Sequence, residues 1–275
     1  MKFFSTFLLA LAAQAADPNY ARDVEQYRGQ REATLKQDDG WLTVVGLFRL
    51  KEGDNRVGSA ASNEIVLPAP APAKVGKIAF SKGQAIYYSG DKPGTLIRPN
   101  LDVITLGAIK FFVIRRGEEY FIRVRDNNSK LRHDFTGLKW FPIDPSWNIA
   151  AKFTAYDKPK TVLFDSQNGV KQPMQSPGFA TFTHDGKEYR LEPVIEGHEF
   201  MFIFRDGTSN KTTYGAARFL YAEFAKGGTV ILDFNKAINP PCAFTPFATC
   251  PLPPPQNRLT LPVTAGEKKY SDAVE

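Results

Sequence analysis

From Trp41 onward the sequence is a succession of short apolar runs, each cut off by Gly, Pro, Asn or Asp. The first half carries Trp41–Phe48, Glu64–Leu67, Lys77–Phe80, Ala85–Tyr88, Thr95–Arg98, Val103–Leu106, Ile109–Arg115 and Tyr120–Arg125. The second carries Ala150–Ala155, Thr161–Phe164, Phe179–Thr183, Glu188–Val194, Phe200–Phe204, Arg218–Phe224 and Val230–Phe234. Runs this short and this closely spaced leave no room for crossover helices, so the expected fold is all-β, with antiparallel sandwiches or small barrels. The 22 Phe against 3 Met agree, because aromatic rings suit a pleated, half-buried surface. Phe200–Phe204 is apolar on both faces and predicts a central buried strand. Lys51–Asn55 and His184–Gly186 read as turns.

One stretch departs from this pattern. Asp17-Pro18 can cap and open a helix. Tyr20, Val24, Tyr27 and Leu35 then recur near helical spacing until Asp38-Asp39-Gly40. The helix is expected to lay one apolar stripe on the sheets. Ahead of it, Lys2, the apolar Phe3–Ala12 and the small-x-small Ala13-Gln14-Ala15 read as an export signal over residues 1–15. The apolar run is far short of the roughly 20 residues that a membrane helix needs. The expected product is periplasmic or extracellular, without stable membrane insertion. The implied boundaries are 1–15 for the signal, 16–40 for the helix, 41–134 for a first β domain and 135–275 for a second. Trp140, Phe141, Pro142, Pro145 and Trp147 make the junction rigid and apolar.

The net charge of +6 is dispersed, and Arg115-Arg116 is followed at once by Glu118-Glu119. No clustered basic face is visible, so nucleic acid is not an expected partner. No nucleophile elbow, zinc-protease helix, phosphate loop or dinucleotide fingerprint occurs. His133, His184 and His198 lack metal-ligand spacing and read as exposed residues of turns, so neither metal nor cofactor is expected. Cys242 and Cys250 are too far apart for a redox C-x-x-C pair and too few for zinc. In an exported chain they read as a disulfide, and closing so small a loop stabilises by about 2.5 kcal/mol.

Candidate site residues cluster late in the chain. Asp206–Phe219 is a long polar loop that returns to a strand through Tyr214 and Arg218. Asp233 and Asn235, two apart, share one sheet face. Arg218 is the expected bidentate partner of Asp233. Arg258 ends a segment dense in proline, Leu232–Arg258, which closes the fold. Asp206, Tyr214, Arg218, Asp233, Asn235 and Arg258 form the expected ligand-binding set, for an unknown small ligand or an envelope or secreted partner. The leading reading is a non-catalytic binding protein. The alternatives are a hydrolase with Asp233 or Asp206 as base and Tyr214 or Arg218 stabilising charge, and a structural envelope protein.

Two resemblances add to this. Val57-Gly58-Ser59, Asn63–Leu67, Gly94-Thr95-Leu96 and Asp102–Gly107, with Phe111 and Val113, resemble a forkhead-associated sandwich over residues 55–115. Ser59 stands where that family places its phosphate-binding Arg, and Ala71–Lys74 where its Ser-x-x-His lies, so the resemblance implies a scaffold without phosphothreonine reading. Gly40–Thr43, Gly46–Phe48, Gly58–Leu67, Gly137–Pro145, Thr212–Leu220 and above all Asn239–Pro246 and Cys250–Pro255 resemble a group of bacterial exported proteins filed as a domain of unknown function, number 1684 in that series. This resemblance spans nearly the whole mature chain and implies no activity. Ala217 departs from it, standing where Gly is expected in Tyr-Gly-Ala-Gly-Arg.

Overall fold

The structure, a computed structural model, describes residues 19–90, 92–166 and 169–270. Residues 1–15, expected to be an export signal, and Asp17-Pro18 lie outside the described residues. The first element is α1 (Tyr20–Lys36), followed by a short 3-10 turn at Trp41–Thr43. Nine strands come next: β1 (Val44–Arg49), β2 (Gly53–Gly58), β3 (Ile65–Val66), β4 (Gly76–Ser81), β5 (Gln84–Tyr88), β6 (Thr95–Ile97), β7 (Val103–Leu106), β8 (Ile109–Arg116) and β9 (Glu119–Asp126). After the one-turn α2 (Lys130–His133) come β10 (Asn148–Phe164), β11 (Gln172–His184), β12 (Lys187–Leu191), β13 (Val194–Glu196), β14 (Glu199–Phe204), β15 (Arg218–Glu223) and β16 (Thr229–Asp233). The all-β reading holds.

The strands form four sheets, ordered β1-β9-β8-β7, β3-β2-β4-β5-β6, β12-β11-β10-β16 and β13-β14-β15. The first two close on one core of Val57, Ile78, Phe111, Val113, Ile122 and Val124. The last two close on another, built from Phe182, Phe200, Phe202, Phe204, Leu232 and Phe234. Burying so many rings fully contributes about 1.5–3 kcal/mol for each side chain removed from water. β14 is the middle strand of its sheet and is buried from Phe200 to Phe204, as its two-faced apolar pattern requires. The forkhead-associated resemblance falls on the first sandwich, and no comparison below supports it.

Three local expectations need correction. Gly53-Asp54-Asn55 is not a turn but the start of β2, because Asn55 is buried and its side chain binds the carbonyls of Lys51 and Gly53 and the amide of Lys51. Ala150–Ala155 and Thr161–Phe164 are one strand rather than two. Its pairing with β11 slips between Ala155 and Lys160. That irregularity accommodates Pro159 and Pro177, since neither has to supply a ladder hydrogen bond there. Gly178 is needed beside it: a Cβ would sit 2.3 Å from the Thr154 carbonyl oxygen. Finally, α1 does not dock by an apolar stripe. Val24 and Leu35 are buried, but so is Arg28, and most of its anchors are polar. Tyr27 donates to the Lys236 carbonyl at 3.1 Å, Arg28 to Phe141 at 3.0 Å and Arg31 to Asn239 at 3.0 Å.

The proline-dense segment lies between the two β units. Ile238 exchanges backbone bonds with Phe219 at the edge of β15, and the Leu252 amide donates to the Asp165 carbonyl at 2.7 Å. On its other side Thr245 donates to the Val44 carbonyl at 3.0 Å. Prolines suit this path, since φ is already fixed and few amides need ladder partners.

Candidate functional site

Four of the six polar residues singled out from the sequence, Asp206, Arg218, Asp233 and Asn235, fall into two buried networks. Arg218 does not pair with Asp233. Its carboxylate is Asp206, with Nη1 at 2.9 Å from Oδ2 and both side chains wholly buried. Arg218 also donates to the carbonyls of Val263 (3.1 Å) and Ala265 and lies over the ring of Phe204. The second oxygen of Asp206 accepts from the amides of Thr208 (2.7 Å) and Val263 (3.3 Å). Burial lowers the pKa of Arg218, and Asp206 opposes that shift. A carboxylate so fully engaged is poorly placed to serve as a general base.

Asp233 and Asn235 instead hold the N-terminal helix. Tyr20 donates to Asp233 Oδ1 at 2.7 Å and accepts from Asn235 Nδ2 at 2.8 Å. Asn235 also bridges the backbone of Asp144, and Lys236 stands 3.2 Å from Asp233. Burial, and then the bond to Asp233, raise the Tyr20 pKa. Tyr214 is half-buried against the Cys-Pro segment, donating to the Cys242 carbonyl at 3.2 Å. Arg258 is exposed beside a shallow surface hollow that includes Lys187, Tyr189 and Thr260. These six residues therefore do not converge on one site.

The concavity that does lie at the junction of the two units is a cleft of about 410 Å³. Its apolar wall includes Trp41, Met174, Met201 and Phe219, and its polar wall includes Arg116, Gln172, Glu196, Tyr221 and Thr249, with Cys250 at the side. Three of the four sheets contribute, through the end of β8, β11, the β13–β14 hairpin and β15, together with the turn before β1 and the Cys-Pro segment. Arg116 is half-buried; its Nε donates to Thr249 Oγ1 at 3.1 Å and its Nη1 to the Arg115 carbonyl at 2.8 Å. Burial lowers its pKa, with Glu196 acting the other way.

Behind Trp41 lies Arg123, only 4 % exposed, its guanidinium 4.7 Å from the Trp41 ring centroid. Its Nε and Nη2 have no hydrogen-bond partner. Neither Arg116 nor Arg123 has a carboxylate at ion-pair distance among the described residues. Burial pushes the Arg123 pKa down to about 9, helped by Arg116 and Arg125, while Cys250 acts in the opposite direction. Contact with an aromatic face recovers up to about 2 kcal/mol for a desolvated guanidinium but supplies no acceptor.

Cys242 and Cys250 are buried free thiols, so the expected disulfide is not formed in this structure. They are neighbours nonetheless: the Cys242 amide donates to Cys250 Sγ at 3.2 Å. The hydrogen bond between the two side chains lowers the Cys242 pKa and raises that of Cys250, where burial acts the same way. Of the histidines, His184 is not an exposed turn residue but stacks on Trp147 at 4.2 Å between centroids. No group of His, Cys, Asp or Glu among the described residues is arranged to hold a metal.

The sequence reading missed this cleft. A signal for it was present in β9, where Ile122 and Val124 turn to the sandwich core and Arg123 to the other face. Only the burial of that second face distinguishes Arg123 from an ordinary surface arginine, and burial by a distant segment leaves no local mark.

Fold and cleft together define a class: an all-β protein of two packed units, with a small mixed polar and apolar cleft at their junction. Through residues 133–268 the chain belongs to the family described as Protein of unknown function (DUF1684). It is also similar to an uncharacterised protein of Haloarcula marismortui, known from a solution NMR structure, at 30% identity over 51% of this chain and 80% of that one, with a TM-score of 0.44. No curated protein matches it.

Proposed function

We propose that this is a non-catalytic binding protein of the cell exterior or periplasm, which takes a small ligand into the cleft between its two β units. The observation that carries the reading is the cleft itself, a concavity of about 410 Å³ lined by both units, with the unpaired guanidinium of Arg123 buried behind one wall. Mixed walls of this kind, at a junction between units, are where small ligands commonly bind. Lys2, the apolar Phe3–Ala12 run and Ala13-Gln14-Ala15, read as an export signal, support the location. In an oxidising compartment the adjacent Cys242 and Cys250 would close into a disulfide and fix the cleft's side wall. The hydrolytic reading has less support, since Asp206, Arg218 and Asp233 are engaged in structural contacts.

A thermal-shift screen of small organic compounds tests this, run on the wild type and on Met174→Trp, which fills the cleft. Compounds that raise the wild-type Tm should lose their effect on Met174→Trp. Hits that stabilise both proteins equally would place binding elsewhere.

A further inference from the structure

Around the cleft two arginines stand against one lining carboxylate, Glu196. Arg116 lines it and Arg123 stands behind its Trp41 wall, and neither has a protein carboxylate in ion-pair range among the described residues. The acidic side chain on the wall, Glu196, is exposed. A buried, unpaired charge is normally removed from a fold, because its desolvation is not recovered. Keeping Arg123 next to a cavity is intelligible where a visiting anion completes it. The rest of the apolar wall, Met174, Met201 and Phe219, offers no hydrogen-bond donors from its side chains and suits an apolar body. A bare inorganic anion would leave that wall in contact with water.

We propose that the cleft's ligand is a small organic anion with an apolar body, its negative end drawn to the side of Arg116 and Arg123. The inference rests on the cleft being the binding site. Arg116 is the residue within direct reach, through the part of its guanidinium not held by Thr249 and Arg115. Arg123 acts through the field it sets up in a water-poor environment, where charges are weakly screened.

Titration calorimetry with hexanoate, hexanamide and hexylamine separates the terms. Hexanoate should bind the wild type at least about tenfold more tightly than hexanamide, the order of one charge-assisted hydrogen bond, and hexylamine should bind least. Arg116→Gln should cost hexanoate about tenfold or more, and Arg116→Lys should restore part of it. Arg123→Met carries a sharper signature. It should raise the Tm, since an uncompensated buried charge is replaced by an apolar chain of similar length, and yet weaken hexanoate. Equal affinity for hexanoate and hexanamide, or preference for hexylamine, overturns the anion inference and leaves the cleft reading intact. Failure of all three compounds to bind overturns both. Undiminished hexanoate binding by both Arg116→Gln and Arg123→Met also overturns the inference.

Discussion

At the scale of single residues, the buried Arg218–Asp206 pair is a structural element and not a site. Arg218 is wholly buried, and it ties β15 to the late segment at Val263 and Ala265. Removing one partner strands the other in a low-dielectric interior, which costs about 3–5 kcal/mol. Asp206→Ala should therefore lower the urea-unfolding free energy by that amount, and Arg218→Lys should also destabilise, because a point charge cannot replace the guanidinium fork. A loss under about 1 kcal/mol in Asp206→Ala would show that the pair is not what holds this region. The sequence made both residues conspicuous. It did not say which carboxylate Arg218 meets, because Asp206 and Asp233 are both within plausible loop distance and only the path of the late segment decides. Asp233 was instead taken by Tyr20, a residue more than 200 positions away.

At the scale of elements, strand positions were legible because a period of two survives wherever one face is buried. The ends of β10 and β11 were not, since prolines that normally stop a strand sit in a register slip instead. The docking of α1 was illegible for a related reason: its anchors are polar, and polar anchors look like solvent-facing residues in a sequence. One of them is Glu267, fully buried, which accepts from the amide and side chain of Asn239 and stands 3.6 Å from Arg31 of α1. Burial pushes its pKa up to about 7, with Arg31 and Asn239 opposing. In the unfolded chain it ionises near 4.3. Between those values the folded form holds a proton that the unfolded form has released, so stability falls as pH rises. The fall is complete above about pH 7 and is on the order of 3 kcal/mol. Glu267→Gln, neutral throughout, should lose this component of the slope. Unfolding free energies measured from pH 4.5 to 8 check it: parallel curves for the two proteins would refute the assignment.

At the scale of the whole molecule, the two β units meet at a cleft beside the Cys-Pro segment. Its residues come from six places in the chain, from Trp41 to Pro251. No short motif connects them, which is why composition and spacing pointed to the polar loop instead. The Cys-Pro segment was recognised as the closing element, and its position between the units is what gives the cleft one of its walls. Methionine provides the most direct test. The chain has three, Met1 within the proposed export signal and Met174 and Met201 on the cleft wall. Protein lacking the signal and labelled with carbon-13 at its methionine methyls therefore reports from the cleft alone. Titration with hexanoate should move both methyl resonances along one saturable curve. If hexanoate binds by calorimetry while both resonances stay fixed, or if no small organic compound moves either one, the cleft is not the binding site.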